Sequence, residues 1–95
     1  MQNQPQQPSE IKIADNIAGA EYSNIMQINH NKEEFHFVFF NILETSGRVV
    51  AKIITNPAHF KRMITAMNEN LKKYEGQFGE IKEASVPEKE IGFKD

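Results

Sequence analysis

One stretch constrains this chain more than any other. From Asn56-Pro57 to Tyr74-Glu75-Gly76 it reads as a single amphipathic helix, and the residues before it read as a sheet for that helix to lie on. Pro57 suits the first helical position, where its missing N–H would be unpaired anyway. Asn56 can cap the first turn with its side-chain oxygen. Phe60, Met63, Ile64, Met67, Leu71 and Tyr74 then recur with the one-face rhythm of a 3.6-residue period. Lys61, Thr65, Asn68 and Lys72 fall on a polar stripe. Glu69 precedes Lys73 by four residues, a pairing that contributes a few tenths of a kcal/mol. Lys72 and Lys73 sit near the expected C-terminal end, where the helix dipole favours cations. Gly76 is placed to close the helix as a left-handed cap. The helix packs a small domain and carries no chemistry of its own.

The strands precede it. Ile11 and Ile13 alternate with Lys12 and Ala14 as a short strand, followed by a turn at Asp15-Asn16 and Gly19. Glu21 to Asn29 is a longer one, with Tyr22, Asn24, Met26 and Ile28 on one face and Ser23, Ile25 and Gln27 on the other. The polar run 29–32 is turn-like. Glu34 to Leu43 carries the strongest strand signal, rich in β-branched and aromatic residues with no Gly or Pro. Phe35, Phe37 and Phe39 point one way; His36, Val38, Phe40 and Ile42 point the other. Glu44-Thr45-Ser46-Gly47 reads as a turn with Gly47 free to take a positive φ. Arg48 to Thr55 follows as a strand, and the short connections make the set an antiparallel meander. The expected fold is α+β: three to four antiparallel strands, then one long helix packed on one face, in the order β-β-β-β-α.

Length bounds the rest. Ninety-five residues make one domain, expected over 10–82. The Gln- and Pro-rich residues 1–9 are too poor in apolar side chains to repay the entropy of ordering and read as a disordered tail. Residues 83–95 read as a flexible tail with Ile91 and Phe93 as its only apolar anchors. Both tails are expected to be removable without unfolding the domain. The net charge of -2 supplies no cationic field to draw in nucleic acid or an anionic membrane. The absence of cysteine excludes disulfides, thiolate metal sites and cysteine nucleophiles, and it fits a reducing cytoplasm. No apolar run approaches membrane-spanning length.

Both faces of the central strand are apolar, yet one helix covers only one face of a sheet. An antiparallel sheet with a wet face should alternate apolar and polar residues there. The second face therefore calls for a cover, and a second copy of the chain is the economical one, since closed homodimers are the commonest oligomers. Phe35, Phe37, Val38, Phe39, Phe40 and Ile42 are the interface candidates; which set the helix takes is left open. A charge placed there, as in Phe40→Asp or Phe37→Asp, is expected to yield a monomer or an insoluble product.

Catalytic and metal-binding patterns are not evident. His30, His36 and His59 are not paired at ligand spacing and read as surface or interface histidines. Ser23, Thr45, Ser46 and Thr55 have no nucleophile-elbow context. Gly76-x-x-Gly79 follows a helix instead of opening one, so it is no phosphate loop. Neither an enzymatic activity nor a cofactor is expected. Nucleic-acid binding is the alternative: Phe35, Phe37, Phe39 and Phe40 could stack bases while Lys32, Arg48, Lys52, Lys61 and Arg62 meet phosphates. The acidic balance and the few cations beside the phenylalanines argue against it.

Several short patterns occur together in this order. Tyr22-x-Asn24, Glu34-Phe35-x-Phe37, Ile53-x-x-Asn56-Pro57-x-His59 and Tyr74-Glu75-x-x-Phe78-Gly79-x-Ile81 resemble a family of short bacterial and archaeal proteins of unknown function, domain of unknown function 3467. The resemblance covers about 11–81. It implies a compact strand-rich domain with one long helix, and no activity, substrate or cofactor. Tyr22, Asn24, His59, Lys61 and Arg62 are the polar positions to test for function. The function expected is that of a non-catalytic, cytoplasmic, homo-oligomeric binding module, with an unknown protein partner also open.

Overall fold

The structure is a computed structural model and describes residues 10–83 and 91–92. Three strands, Ile25–His30 (β1), Phe35–Leu43 (β2) and Ser46–Thr55 (β3), precede one helix, Pro57–Phe78 (α1). The strands form an antiparallel sheet in the order β1-β2-β3, so the fold is α+β. The expectations for residues 1–9 and for most of 83–95 lie outside the described residues; within the latter stretch Ile91 is half-buried and Gly92 exposed.

Three strands are present where up to four were expected. Ile11–Ala14 forms no strand, and β1 starts at Ile25, four residues later than the pattern suggests. The late start of β1 has its cause at Ser23 and Asn24. The Asn24 backbone N–H donates to the Phe40 carbonyl at 3.0 Å. Its side-chain amide donates to the Ile42 carbonyl at 2.8 Å and accepts from the Ile42 N–H at 3.0 Å. One side chain thus occupies both ladder groups of Ile42, which a preceding strand residue would otherwise take. The Ser23 hydroxyl points its proton at the carbonyls of Ile25 and Phe40, at 3.1 and 3.0 Å. Ser and Asn side chains compete with backbone pairing in this way, and the strand ends there. Upstream, the Asp15 carboxylate accepts from the Ile17 N–H at 3.0 Å, an Asx-turn at the expected place.

The connections follow local chemistry. In the β1–β2 turn the Asn31 side-chain oxygen accepts from the N–H groups of Glu33 and Glu34, at 2.8 and 2.9 Å, while the Asn31 N–H donates to the Glu34 carbonyl. The β2–β3 turn is Glu44-Thr45, tighter than the four residues expected. Its positive φ falls on Glu44, at 58°, and not on Gly47. Gly47 lies inside β3 and is needed for space. A Cβ there would meet Ile42 Cγ1 at 2.7 Å and the Asn41 carbonyl oxygen at 3.1 Å. Gly47→Ala should therefore lower stability by about 1–3 kcal/mol, as overpacking does, seen as a reduced urea midpoint with an unchanged slope.

The helix starts as expected. Asn56 is extended (φ -87°, ψ 161°), its side chain accepts from the His59 N–H at 2.8 Å, and Pro57 opens the first turn. It ends later than expected. The chain stays helical through Gly76 to Phe78, and Gly79 is the cap, with φ 100°, ψ 168° and its N–H on the Glu75 carbonyl at 2.9 Å. That backbone region is essentially closed to residues with a Cβ. The extra turn is held by the Tyr74–Phe78 ring pair, whose centroids are 5.0 Å apart, and by Glu75, whose carboxylate accepts from the Ile81 N–H at 2.9 Å. Lys72 and Lys73 therefore lie upstream of the last turn, which holds no basic residue. The two glycines should respond oppositely to alanine. Gly76→Ala, in open helix interior, should stabilise by about 0.5–1 kcal/mol. Gly79→Ala should destabilise by about 1–3 kcal/mol. Paired thermal melts test both signs at once.

The chain divides into two compact units, Met1–Gln27 with Phe37–Lys52, and Ile28–His36 with Ile53–Asp95. The first holds the buried residues: Phe37 is 2% exposed and Phe40 3%. Their positions differ by an odd number, so they project from opposite sides of β2, and both sides carry an enclosed ring. In the second unit three rings adjoin in sequence. His30 lies 5.3 Å from Phe35, and Phe35 stacks on Phe60 at 4.0 Å with an 11° interplanar angle. The first helical turn is thereby held to Phe35, the residue that opens β2.

Candidate functional site

The five polar candidates are divided between the two units. Tyr22 and Asn24 belong to the first unit; His59, Lys61 and Arg62 belong to the second. Asn24 has a structural role, spent on Ile42 as described above. Tyr22 is highly exposed just upstream of it. His59, Lys61 and Arg62 lie exposed in the first turns of α1. The other two histidines are engaged separately: His30 faces Phe35, and the His36 Nε2 sits 3.2 Å from a Glu34 carboxylate oxygen. Among the described residues no group of three His, Cys, Asp or Glu is placed to hold a metal ion.

Of the five cations named for phosphate contact, Arg48 has a carboxylate partner. Arg48 pairs with Glu21 at 2.8 Å, both side chains being well exposed, so the contact contributes little to stability. Lys32, Lys52, Lys61 and Arg62 are exposed.

The six interface candidates are more enclosed than the two-faced strand suggested. Phe37 and Phe40 are buried, and Phe35, Val38, Phe39 and Ile42 are half-buried. Phe37 and Phe39 stack with centroids 6.3 Å apart. The single chain thus encloses Phe40 already, without a second copy.

The exposed apolar surface lies elsewhere, on residues that were not among the candidates. Ile11, Ile13 and Ile17 project from the unpaired N-terminal segment, each at least 80% exposed. Along α1, Phe60 and Met63 are half-buried, but Ile64, Met67, Leu71, Tyr74 and Phe78 are 44% to 65% exposed. Periodicity alone assigns the helix stripe to the sheet in full. The stripe does pack at its start, and from Ile64 onward it faces water. Monomers rarely leave so many large apolar side chains exposed in one run. Among the described residues no helix is long and apolar enough to cross a membrane.

The family described as a protein of unknown function (DUF3467) matches the chain over residues 1–83, the same family that the ordered motif set resembles. No curated protein and no solved structure matches it.

Proposed function

The chain belongs to this family, whose description assigns no activity, and from that premise we propose that it is a non-catalytic, homo-oligomeric interaction module of the cytoplasm. One observation carries the reading. Among the described residues two large apolar side chains are buried, Phe37 and Phe40, against sixteen that are exposed. Buried apolar area is the main source of stability, and so large an exposed share gains most when it meets another apolar surface. The polar side chains fit the same reading: Asn24, Asn31 and Asn56 are engaged in shaping the backbone. The missing cysteines suit a reducing compartment.

The base-stacking alternative finds less support. A ring 2% or 3% exposed offers no face to a base, and Phe35 already stacks on Phe60. Two measurements separate the readings. Light scattering at tens of micromolar protein should give a mass above the monomer; a clean monomer mass removes the homo-oligomer. Titration with single-stranded and duplex oligonucleotides should give no binding at low salt. Binding that weakens steeply as salt rises would establish phosphate contacts instead.

A further inference from the structure

We infer that two copies of this chain pair through α1 as a short antiparallel two-helix coiled coil, with Ile64 of one copy packed on the partner's Tyr74 and Met67 on the partner's Leu71. The inference rests on the homo-oligomeric reading above and adds to it the surface, the orientation and the register.

The spacing comes first. Phe60, Ile64, Met67, Leu71, Tyr74 and Phe78 are separated by four, three, four, three and four residues. That is an unbroken a/d heptad repeat, the pattern of a helix seam that meets another helix. Phe60 is taken by Phe35 of its own chain, and Met63 is half-buried. The five seam residues beyond are all exposed. Among the described residues the seam is thus spaced for helix pairing and left open, and there is no second helix there to fill it.

Complementarity selects the occupant and its direction. A partner helix running antiparallel about a two-fold axis at Glu69 brings Ile64 opposite the partner's Tyr74 and Met67 opposite the partner's Leu71, each contact occurring twice. These four layers each join a side chain to one of different shape, while Phe78 falls opposite the partner's Phe60, which stacks on Phe35 of its own chain. In the flanking positions Lys61 falls opposite the partner's Glu75, again twice, while Asn68 and Asn70 each meet their own copies. Lys61 is exposed, and Glu75 gives one oxygen to the Ile81 N–H and retains acceptor capacity on the other. In the parallel arrangement the flanking pairs would be Met63 with Asn68, and Asn70 with Glu75, which include no opposite charges. A seam that matches itself when reversed is recognised by a second copy of the same chain, with the closed symmetry usual for dimers. The seam from Ile64 to Phe78 spans about 21 Å at 1.5 Å per residue. An interface this short is at the small end for specific complexes, so the dimer should dissociate in the micromolar range.

The chain has no cysteine, so introduced thiols report position without background. Ile64→Cys and Tyr74→Cys proteins are mixed and mildly oxidised, with the mass of each monitored by light scattering. The expected result is a disulfide-linked dimer in the mixture and none from either protein alone, because the two Ile64 positions of an antiparallel pair are about 15 Å apart along the axis. Crosslinking of Ile64→Cys with itself would establish the parallel arrangement and overturn the inference. A dimer mass with no crosslink in any sample would overturn it while leaving the homo-oligomeric reading standing. A monomer mass for the unsubstituted chain would remove both. The charge pair gives a second, independent measure. Lys61→Glu should weaken the dimer about tenfold through two like-charge contacts, and Lys61→Glu with Glu75→Lys should restore it. Equal weakening in the single and double variants would overturn the register.

Discussion

Phe40→Asp should unfold the protein instead of separating copies of it. Phe40 is 3% exposed within the single chain. Loss of a buried phenylalanine costs about 3–5 kcal/mol from transfer and cavity together. An aspartate in its place must also be protonated or drag water into the site, which adds to the loss. A domain of this size has a total stability of about 5–15 kcal/mol, with short chains at the lower end. The expected result is loss of the cooperative thermal transition and of the native far-UV spectrum. A folded Phe40→Asp protein with a native melting curve would show that the ring is not enclosed. The helix seam should respond differently. Leu71 is 44% exposed, so Leu71→Asp should keep the fold and lose self-association.

The second large effect is expected where helix and strand meet. Phe35→Ala and Phe60→Ala should each destabilise by about 2–3 kcal/mol, less than for a fully buried phenylalanine because both rings are half-buried. The double variant should lose less than the sum, by about 0.5–1.5 kcal/mol, the range measured for aromatic pairs. The 4.0 Å separation and 11° angle are the basis for this coupling. Urea unfolding at one fixed protein concentration tests it, since association would make apparent stability depend on concentration. Strict additivity would mean that the rings are neighbours without interacting. His30 completes the series on the far side of Phe35, and His30→Ala should add a smaller loss, because its ring is only one neighbour of the stack.

Much of the local architecture was legible in the residues. The aromatic and β-branched run became β2 with one residue's difference at its start, and Asn56-Pro57 opened the helix by the expected cap. These features depend on interactions spanning about four residues, which the sequence displays directly. The helix end shows where local reading stops. Gly76 and Gly79 are both competent caps in isolation. The difference came from one further turn of side-chain pairing, Tyr74 with Phe78 and Glu75 with the Ile81 N–H, which outweighs a glycine in helix interior. The missing fourth strand shows the same limit. Ile11 and Ile13 alternate correctly, but alternation does not show whether a segment meets a sheet edge, and both side chains stay exposed with no strand formed there.

The candidate surface was less legible than the fold. Periodicity determined which apolar residues share a side of β2 and of α1. It could not determine which of them are enclosed, because enclosure depends on segments distant in sequence. Phe40 and Leu71 are both apolar residues on a regular face, yet one is buried and the other nearly half exposed. By itself the sequence determined an antiparallel set of three to four strands, one capped helix and an apolar stripe along it. Only the tertiary structure decided that the stripe packs on its own chain at Phe60 and faces water from Ile64 onward, since hydrophobic burial is non-directional and is settled by whatever surface the folded chain brings near.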